Sequence, residues 1–226
     1  IIKEIPVMLN SGAKSTRFDL IIEANFVEVV EETFQELKIS KEEEKQIKNL
    51  SRDPKLFSKL GYKPIKRYPV AARWRDDTDF VQASIYNFQP WVVSGEVKPP
   101  ANPLVIPQFC LRFNDIDNVG ITGQHYVGFV MIGQHAFVHP KDWDQDKYFS
   151  DIKLWLNKGL GLEDGEITFH EDVWAGGGNF GPCMEFFSRG MELGNQVYMM
   201  YEQTSKGKKE LKLKVLDMGM GHERNA

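Results

Sequence analysis

The stretch with the most unusual composition runs from Trp174 to Cys183 and contains four glycines in ten positions. Backbone without a Cβ atom can approach a ligand closely and can offer N–H groups to an anion. A surface turn accounts for the same composition equally well. No Gly-Lys-Ser/Thr triplet follows the glycines, so they do not form a Walker loop. The stretch is therefore a candidate ligand-binding segment with a turn as the alternative.

A second candidate lies near the end of the chain, where Asp217 and two glycines, Gly219 and Gly221, precede Arg224. Arginine presents a rigid fork of donors that matches phosphate oxygens, and glycine lets the backbone pass beneath a flat ligand. The alternative is a disordered chain end. The run therefore predicts either a phosphate-binding segment or a tail without a role.

Arg112 ends an apolar run, where a charge is costly unless it is paired or belongs to a site. A salt bridge to Asp115 or Asp117 would satisfy it, and so would an anionic ligand. The sequence leaves both interpretations open.

Other kinds of chemistry are not supported by the spacing. The five histidines include no helical pair of ligands with a nearby acid, and the two cysteines, Cys110 and Cys183, have no neighbours at metal spacing. We expect no zinc. Ser/His/Asp or Cys/His catalysis would need a geometry that the sequence does not show, and no nucleophile elbow is present. A net charge of −4 argues against bulk attraction to nucleic acid.

The candidate residues need elements to position them. Apolar spacing and capping residues predict helices in the first third, over about 25–37, from about 40 to 50, and from Asp53 to just before Gly61. Apolar runs at 105–113 and 126–132 predict two antiparallel strands joined by a long loop. A helix over about 148–156 and strands at 184–188, 196–202 and 211–215 follow, with a turn at 205–207. The pattern indicates an α+β domain on an antiparallel sheet.

No run approaches the roughly 18 apolar residues of a membrane span. The first residues also lack the layout of a signal peptide. We therefore expect a cytoplasmic protein without membrane contact.

Taken in order, these segments resemble the catalytic core of alanyl-tRNA synthetase, particularly the archaeal type. The resemblance rests on long motifs in the family's order, at 67–77, 87–104, 110–120, 174–185, 195–199 and 217–224. It covers roughly residues 61–224. Residues 1–60 match poorly and are expected to form a separate helical segment, whereas 61–226 are expected to form the aminoacylation core.

The resemblance implies a class II aminoacyl-tRNA synthetase fold, an antiparallel β-sheet flanked by helices, that activates alanine with ATP and Mg²⁺ for transfer to tRNA(Ala). It implies that Arg112 and Arg224 are catalytic and bind ATP. The other implied ATP-binding residues are His125, Phe129, Glu185, Glu192, Gly219 and Gly221, with Glu185 and Glu192 also near Mg²⁺. The implied alanine-binding residues are Trp174, Val197, Asp217 and Gly219.

The chain departs from the family pattern at two positions. Gln124 stands where the family has arginine, and Val130 stands where it has glutamate. The chain also stops after the third motif, so the family's tRNA-recognition, editing and C-terminal domains are expected to be absent. Three interpretations remain open: a catalytic fragment or subunit with a second chain carrying the other modules, a paralogue that uses another acceptor, and a non-catalytic tRNA-associated protein.

Overall fold

A computed structural model describes residues 56–225, which all fall in the second of the chain's two units, Leu50–Ala226. The helices predicted over about 25–37 and 40–50, and the cap at Asp53, lie outside the described residues. The end of the third predicted helix is confirmed, because α1 spans Leu56–Lys59 and ends before Gly61. None of the helices in the described range is long and apolar enough to cross a membrane.

Seven strands form one sheet in the order β1-β2-β3-β7-β6-β5-β4. The short edge strand β1 pairs in parallel with β2, and every other neighbouring pair is antiparallel. The α+β fold with a mainly antiparallel sheet is therefore confirmed. The strands are β1 (Lys63–Pro64), β2 (Leu104–Leu111), β3 (Gly128–Val138), β4 (Ile167–Gly176), β5 (Asn179–Ser188), β6 (Met191–Thr204) and β7 (Gly207–Gly221).

The end of β7 explains why its sequence alternates large and small residues. Side chains of a strand point to opposite faces in turn. Leu216, Met218 and Met220 pack into the core on one face. Asp217 and Gly219 therefore lie on the other face, which we call the site face. The alternative that this run is a disordered chain end is wrong, because β7 reaches Gly221 and a short helix, α3, follows at His222–Asn225.

The face opposite the site face is covered by α2, which spans Gln145–Leu154. Asp144 caps its first turn by accepting a hydrogen bond from the Lys147 N–H at 3.0 Å. Ile152 on α2 and Leu216 on β7 are both fully buried in the cluster beneath the helix. Helix α2 runs on into a π-helical turn, Trp155–Gly159, so the predicted helix end near Gly159 is confirmed.

The proline-rich segment between α1 and β2 covers part of the site face. Within it, a 3-10 helix at Ser84–Asn87 contributes Ile85 to a cluster with Val197 and Val215. An isolated bridge joins Ala71 to Phe80. The segment contains no α-helix between β1 and β2, as its prolines predict.

The glycine-rich stretch is part of a hairpin rather than an extended loop. Strand β4 ends at Gly176 and β5 begins at Asn179, so the connection is only Gly177 and Gly178. Both have positive φ, +57° and +82°, which glycine adopts without strain. The turn interpretation is therefore confirmed for these two residues, while their neighbours belong to strands.

Gly181 is required by close packing in the sheet. A Cβ atom there would lie 1.9 Å from the Tyr198 carbonyl oxygen, which is backbone and cannot rotate away. We expect Gly181→Ala to lower the free energy of unfolding by about 1–3 kcal/mol. Urea unfolding followed by tryptophan fluorescence measures this, since all five tryptophans lie between Trp74 and Trp174. The matched control is Gly165→Ala, where a Cβ meets nothing within 4 Å; an equal effect of both changes would contradict the packing argument.

Candidate active site

A cleft opens on the site face where β3 and β6 begin and β7 ends, beside the loop between β2 and β3. The long loop follows from the sequence, because Asp115, Gly120 and Gly123 take positive φ and the segment holds only one 3-10 turn. Seven of the sequence-predicted residues line this cleft: Arg112, His125, Phe129, Glu192, Gly219, Gly221 and Arg224.

Arg112 is held at one side of the cleft. Its Nε donates a hydrogen bond to the Gln82 carbonyl oxygen at 2.8 Å. Its guanidinium lies over the Phe129 ring, 5.1 Å from the centroid. Within residues 56–225 Arg112 forms no ion pair, so the salt bridge to Asp115 or Asp117 is not observed. The two Nη groups are thus free of carboxylate partners and can bind an anion.

Arg224 faces the cleft from α3. Its Nε donates to the Gln124 carbonyl oxygen at 3.1 Å, and its Nη1 lies 3.4 Å from Glu192 Oε2 and 3.3 Å from the Glu192 carbonyl oxygen. The two side chains are 29% and 37% exposed, so the pair is a partly solvated one. Gln124 therefore contacts Arg224 through its backbone, which does not depend on the side chain at that position.

Gly219 and Gly221 leave backbone uncovered in the floor of the cleft, next to the side chains of Phe129 and Met131. Gly219 lies opposite Gly133 on β3 and opposite Asn195 on β6. A Cβ at Gly219 would approach Met131 Sδ to 2.9 Å. Because Gly219 has no side chain, its backbone is open on the cleft side, which leaves room for a flat ligand above it.

Asp217 lies two residues before Gly219 on the same face, and it is 6% exposed. Its neighbours in the sheet are His135 on β3 and Val197 on β6. Burial raises the pKa of Asp217 to about 7, because a desolvated carboxylate is disfavoured. A cation bound beside it would reverse that penalty.

Trp174 on β4 lies on the site face, on the side of Val197 away from Asp217. Register places Trp174 opposite Gly181, and Cys183 opposite Val197, so these side chains share one face. The Trp174 ring covers Gly176, where a Cβ would come 2.4 Å from the ring. Trp174 also packs against the buried cluster that contains Val197.

The hairpin that carries Trp174 is held by Gln89, which lies within the motif at 87–104 but is not among the predicted site residues. Gln89 Nε2 donates to Asn179 Oδ1 at 2.8 Å and to the Gly176 carbonyl oxygen at 3.2 Å. Its Oε1 accepts from Arg75 Nη1 at 3.2 Å. These bonds connect the turn to the proline-rich segment.

Glu185 is the predicted ATP-binding residue that the cleft does not include. It lies on the site face of β5, opposite Asn195 on β6. Its Oε2 is 3.3 Å from His170 Nδ1. A role for Glu185 stays a prediction.

Glu223 is a cleft residue that the sequence motifs did not single out. Its carboxylate oxygens accept hydrogen bonds from the Val130 N–H at 2.9 and 3.1 Å. Burial raises the pKa of Glu223, and the bond from Val130 opposes that shift. The Glu223 carboxylate therefore contacts the backbone of Val130 and adds an acidic group to the cleft. Recognising from the sequence that a short helix follows β7 would have been needed to expect Glu223 in the cleft.

The carboxylates of the cleft suit a magnesium ion that arrives with a nucleotide. Mg²⁺ is held by one or two carboxylates together with phosphate oxygens. Glu192 lines the cleft, is partly solvated and has only a 3.4 Å contact with Arg224. Among residues 56–225 no group of three or more His, Cys, Asp or Glu could hold a metal alone.

The buried carboxylate predicts a pH dependence of stability. The pKa of Asp217 rises from 3.8 to about 7 on folding, so the folded chain binds a proton that the unfolded chain has already lost. That stabilisation is present in full below about pH 4, is lost progressively as the pH rises to about 7, and changes no further above that. Asp217→Asn removes this dependence, and we expect the variant to gain about 3 kcal/mol relative to the parent between pH 5 and pH 8. Urea unfolding at both pH values measures the difference; a constant difference would contradict the assignment.

Comparison with known proteins agrees with this geometry. The model of the family "tRNA synthetases class II (A)" matches residues 55–226. Alanine–tRNA ligase of Methanocella arvoryzae is 60% identical over 173 residues, which are 75% of this chain and 20% of that protein. Alanine–tRNA ligase of Methanococcus aeolicus is 52% identical over 174 residues, 74% of this chain and 19% of that protein.

The chain therefore spans about a fifth of the length of these curated relatives. Among solved structures, pyrrolysyl-tRNA synthetase from Desulfitobacterium hafniense has the same fold, with a TM-score of 0.50 at 13% identity, over 88% of this chain and 74% of that one. The sheet, the cleft and the matched range together show that this chain belongs to the class II (A) family of tRNA synthetases, within which its sequence relatives are archaeal alanine–tRNA ligases.

Proposed function

We propose that this chain is the catalytic segment of an alanine–tRNA ligase, which joins alanine to the α-phosphate of ATP and releases pyrophosphate. The observation that carries the proposal is the buried Asp217 carboxylate, two residues before Gly219, beside a cleft that Arg112, Gly219 and Arg224 line. A carboxylate suits the ammonium group of an amino acid and arginines suit the phosphates of a nucleotide, so a site for both needs these groups side by side.

The alanine end of the site is built around Asp217. Its carboxylate pairs with the ammonium group, which offsets the cost of burying the charge. Val197, 1% exposed, and Trp174 provide apolar contacts for a small side chain. Gly219 provides backbone contact on the cleft side.

The ATP end is built around the arginines. Arg112 and Arg224 carry fixed positive charge on opposite sides of the cleft, where they bind phosphate oxygens. Phe129 stacks on the adenine ring, Gly219 and Gly221 form the surface beneath the adenosine, and His125 and Glu192 lie at the cleft border. Glu192, with Glu185 as the second acidic residue, would hold Mg²⁺ together with the phosphates, and the ion would neutralise part of their charge.

The reaction needs no covalent intermediate with the protein. A carboxylate oxygen of alanine attacks the α-phosphorus, and the bond from that phosphorus to the bridging oxygen of pyrophosphate breaks. Negative charge spreads over the non-bridging oxygens in the transition state, and Arg112 stabilises it there. Asp217 positions the nucleophile by holding the ammonium group.

Residues 61–226 act as the aminoacylation core in this proposal. Transfer of the alanyl group to tRNA(Ala) uses further modules, carried by another part of the protein or by a second chain. The relatives support this, since the match covers a fifth of their length.

Calorimetric titration with a non-hydrolysable alanyl-adenylate analogue, an alanyl sulfamoyl adenosine, tests the site. We expect the alanyl analogue to bind at least about tenfold more tightly than the seryl analogue, because a hydroxyl in an apolar pocket lacks a partner. The matched control is Asp217→Asn, which should weaken all aminoacyl analogues alike. Equal binding of the two analogues to the parent chain would contradict alanine as the substrate.

A further inference from the structure

Three polar side chains from distant parts of the sequence meet on the site face, where the proline-rich segment covers it. Ser84 Oγ lies 3.0 Å from His135 Nε2, and His135 Nδ1 lies 3.4 Å from Asp217 Oδ1. Ser84 and His135 are completely buried, and Asp217 is 6% exposed. The order hydroxyl, imidazole, carboxylate is that of a hydrolase triad, but its surroundings differ.

The serine in this arrangement is not a nucleophile. It lies in the 3-10 helix Ser84–Asn87, directly over Gly133, where a Cβ would come 2.3 Å from Ser84 Oγ. The hydroxyl thus faces closed backbone and has no room for a substrate carbonyl. Geometry therefore excludes acyl transfer to Ser84, and the group must act within the protein.

The neighbours of His135 determine which ring nitrogen carries the proton. Burial lowers the pKa of His135 to about 3, so the ring holds one proton at neutral pH. A ring with one proton has one donor and one acceptor nitrogen. Nδ1 faces the Asp217 carboxylate, which can only accept when it is ionised. Nδ1 must then be the donor, and Nε2 accepts from the Ser84 hydroxyl.

Asp217 has few other ways to be oriented. Within residues 56–225, His135 is the side chain that stands at ion-pair distance from it. Val197, its neighbour on β6, is apolar. The contact of the buried His135 Nδ1 with Asp217 is slightly long at 3.4 Å, and the Leu216 backbone also forms a hydrogen bond with the imidazole ring. A small rotation of the carboxylate would satisfy both groups.

We propose that Ser84 fixes His135 in the Nδ1–H tautomer and that His135 in turn orients the Asp217 carboxylate toward the ammonium group of the amino acid. Ser84 and His135 are positioning residues in this arrangement, since neither touches the substrate. The inference rests on the proposed function, because it assigns the ammonium group as the ligand of Asp217. This arrangement explains why a histidine and a serine are buried next to Asp217, whose carboxylate must keep one orientation to bind the ammonium group.

Nitrogen-15 NMR of the full chain labelled at histidine tests the tautomer directly. The signal of His135 is identified by its loss in His135→Asn. At about pH 8, where Asp217 is ionised, we expect the parent chain to carry the proton on Nδ1, and Ser84→Ala to shift the ring toward the Nε2–H form. A parent ring with the proton on Nε2 would overturn the inference, whether or not the chain is active.

Calorimetric titration with alanine tests the consequence. Asparagine can place an amide donor where Nδ1 stands, whereas glutamine places its amide near Nε2. We expect His135→Asn to bind alanine within about threefold of the parent and His135→Gln to bind about tenfold more weakly, with ATP affinity unchanged in both. His139→Asn, at an exposed histidine, is the matched control.

The two kinds of failure are distinguishable. If the parent chain binds alanine and His135→Asn and His135→Gln bind it with equal affinity, only the positioning role is overturned. A folded parent chain that does not bind alanine overturns the proposed function, and with it the assignment of the ammonium group to Asp217.

Discussion

Asp217→Asn is expected to weaken alanine binding at least about a hundredfold while leaving ATP binding unchanged. The carboxylate is buried, so its charge is worth more to an ammonium ligand than a solvated charge would be, and the loss of one partner of such a pair costs about 3 kcal/mol or more. Asparagine preserves the shape, which separates charge from packing. Calorimetric titration with alanine and, separately, with ATP measures both affinities.

The control for this change is Asp142→Asn, at an exposed aspartate outside the cleft. It changes the net charge by the same amount. If Asp217→Asn and Asp142→Asn bind alanine equally well, Asp217 does not hold the ammonium group and the alanine end of the site is misplaced.

Arg112→Ala is expected to reduce the rate of alanine activation by a factor of about 100 to 1,000, with a smaller effect on ATP affinity. A donor aimed at charge that develops in the transition state lowers the barrier more than it stabilises the ground state. Arg112→Lys keeps the charge but loses the fork and the stacking on Phe129, so it should recover only part of the rate. Single-turnover formation of the adenylate, at saturating ATP and alanine, measures the chemical step.

Arg73→Ala, at an exposed arginine outside the cleft lining, controls for loss of positive charge. A rate for Arg112→Ala that equals the rate of Arg73→Ala would remove Arg112 from the mechanism.

Much of the fold could be predicted because it follows from local patterns. The alternation at 211–215 and the turn at 205–207 indicate a hairpin, and β6 and β7 form it. The short edge strand β1 was not predicted, since two residues carry no period. Its parallel pairing with β2 depends on contacts distant in sequence.

The candidate site could be predicted only where motifs mark it. Asp217 and Gly219 stand in one short run, so a motif identifies both. Ser84 and His135 are 51 positions apart and approach each other only after the 3-10 helix packs over β3. No sequence pattern indicates such a meeting, because it depends on how Gly133 leaves space beneath Ser84.

Glu223 is a second site residue that no sequence pattern indicates. The sequence shows Val130 in place of an acid, and the structure places the Glu223 carboxylate on the Val130 N–H. Only the fold of α3 against β3 makes that contact. Glu223 on α3 therefore adds an acidic group to the cleft, bonded to the backbone of Val130 rather than standing in for its side chain.

Exchange of pyrophosphate into ATP shows whether this chain activates alanine. The assay uses the purified chain with alanine, glycine or serine as the amino acid. We expect exchange that depends on alanine, is weaker with glycine and serine, and is lost in Asp217→Asn. A folded chain that binds ATP but supports no exchange with alanine would contradict the proposed function.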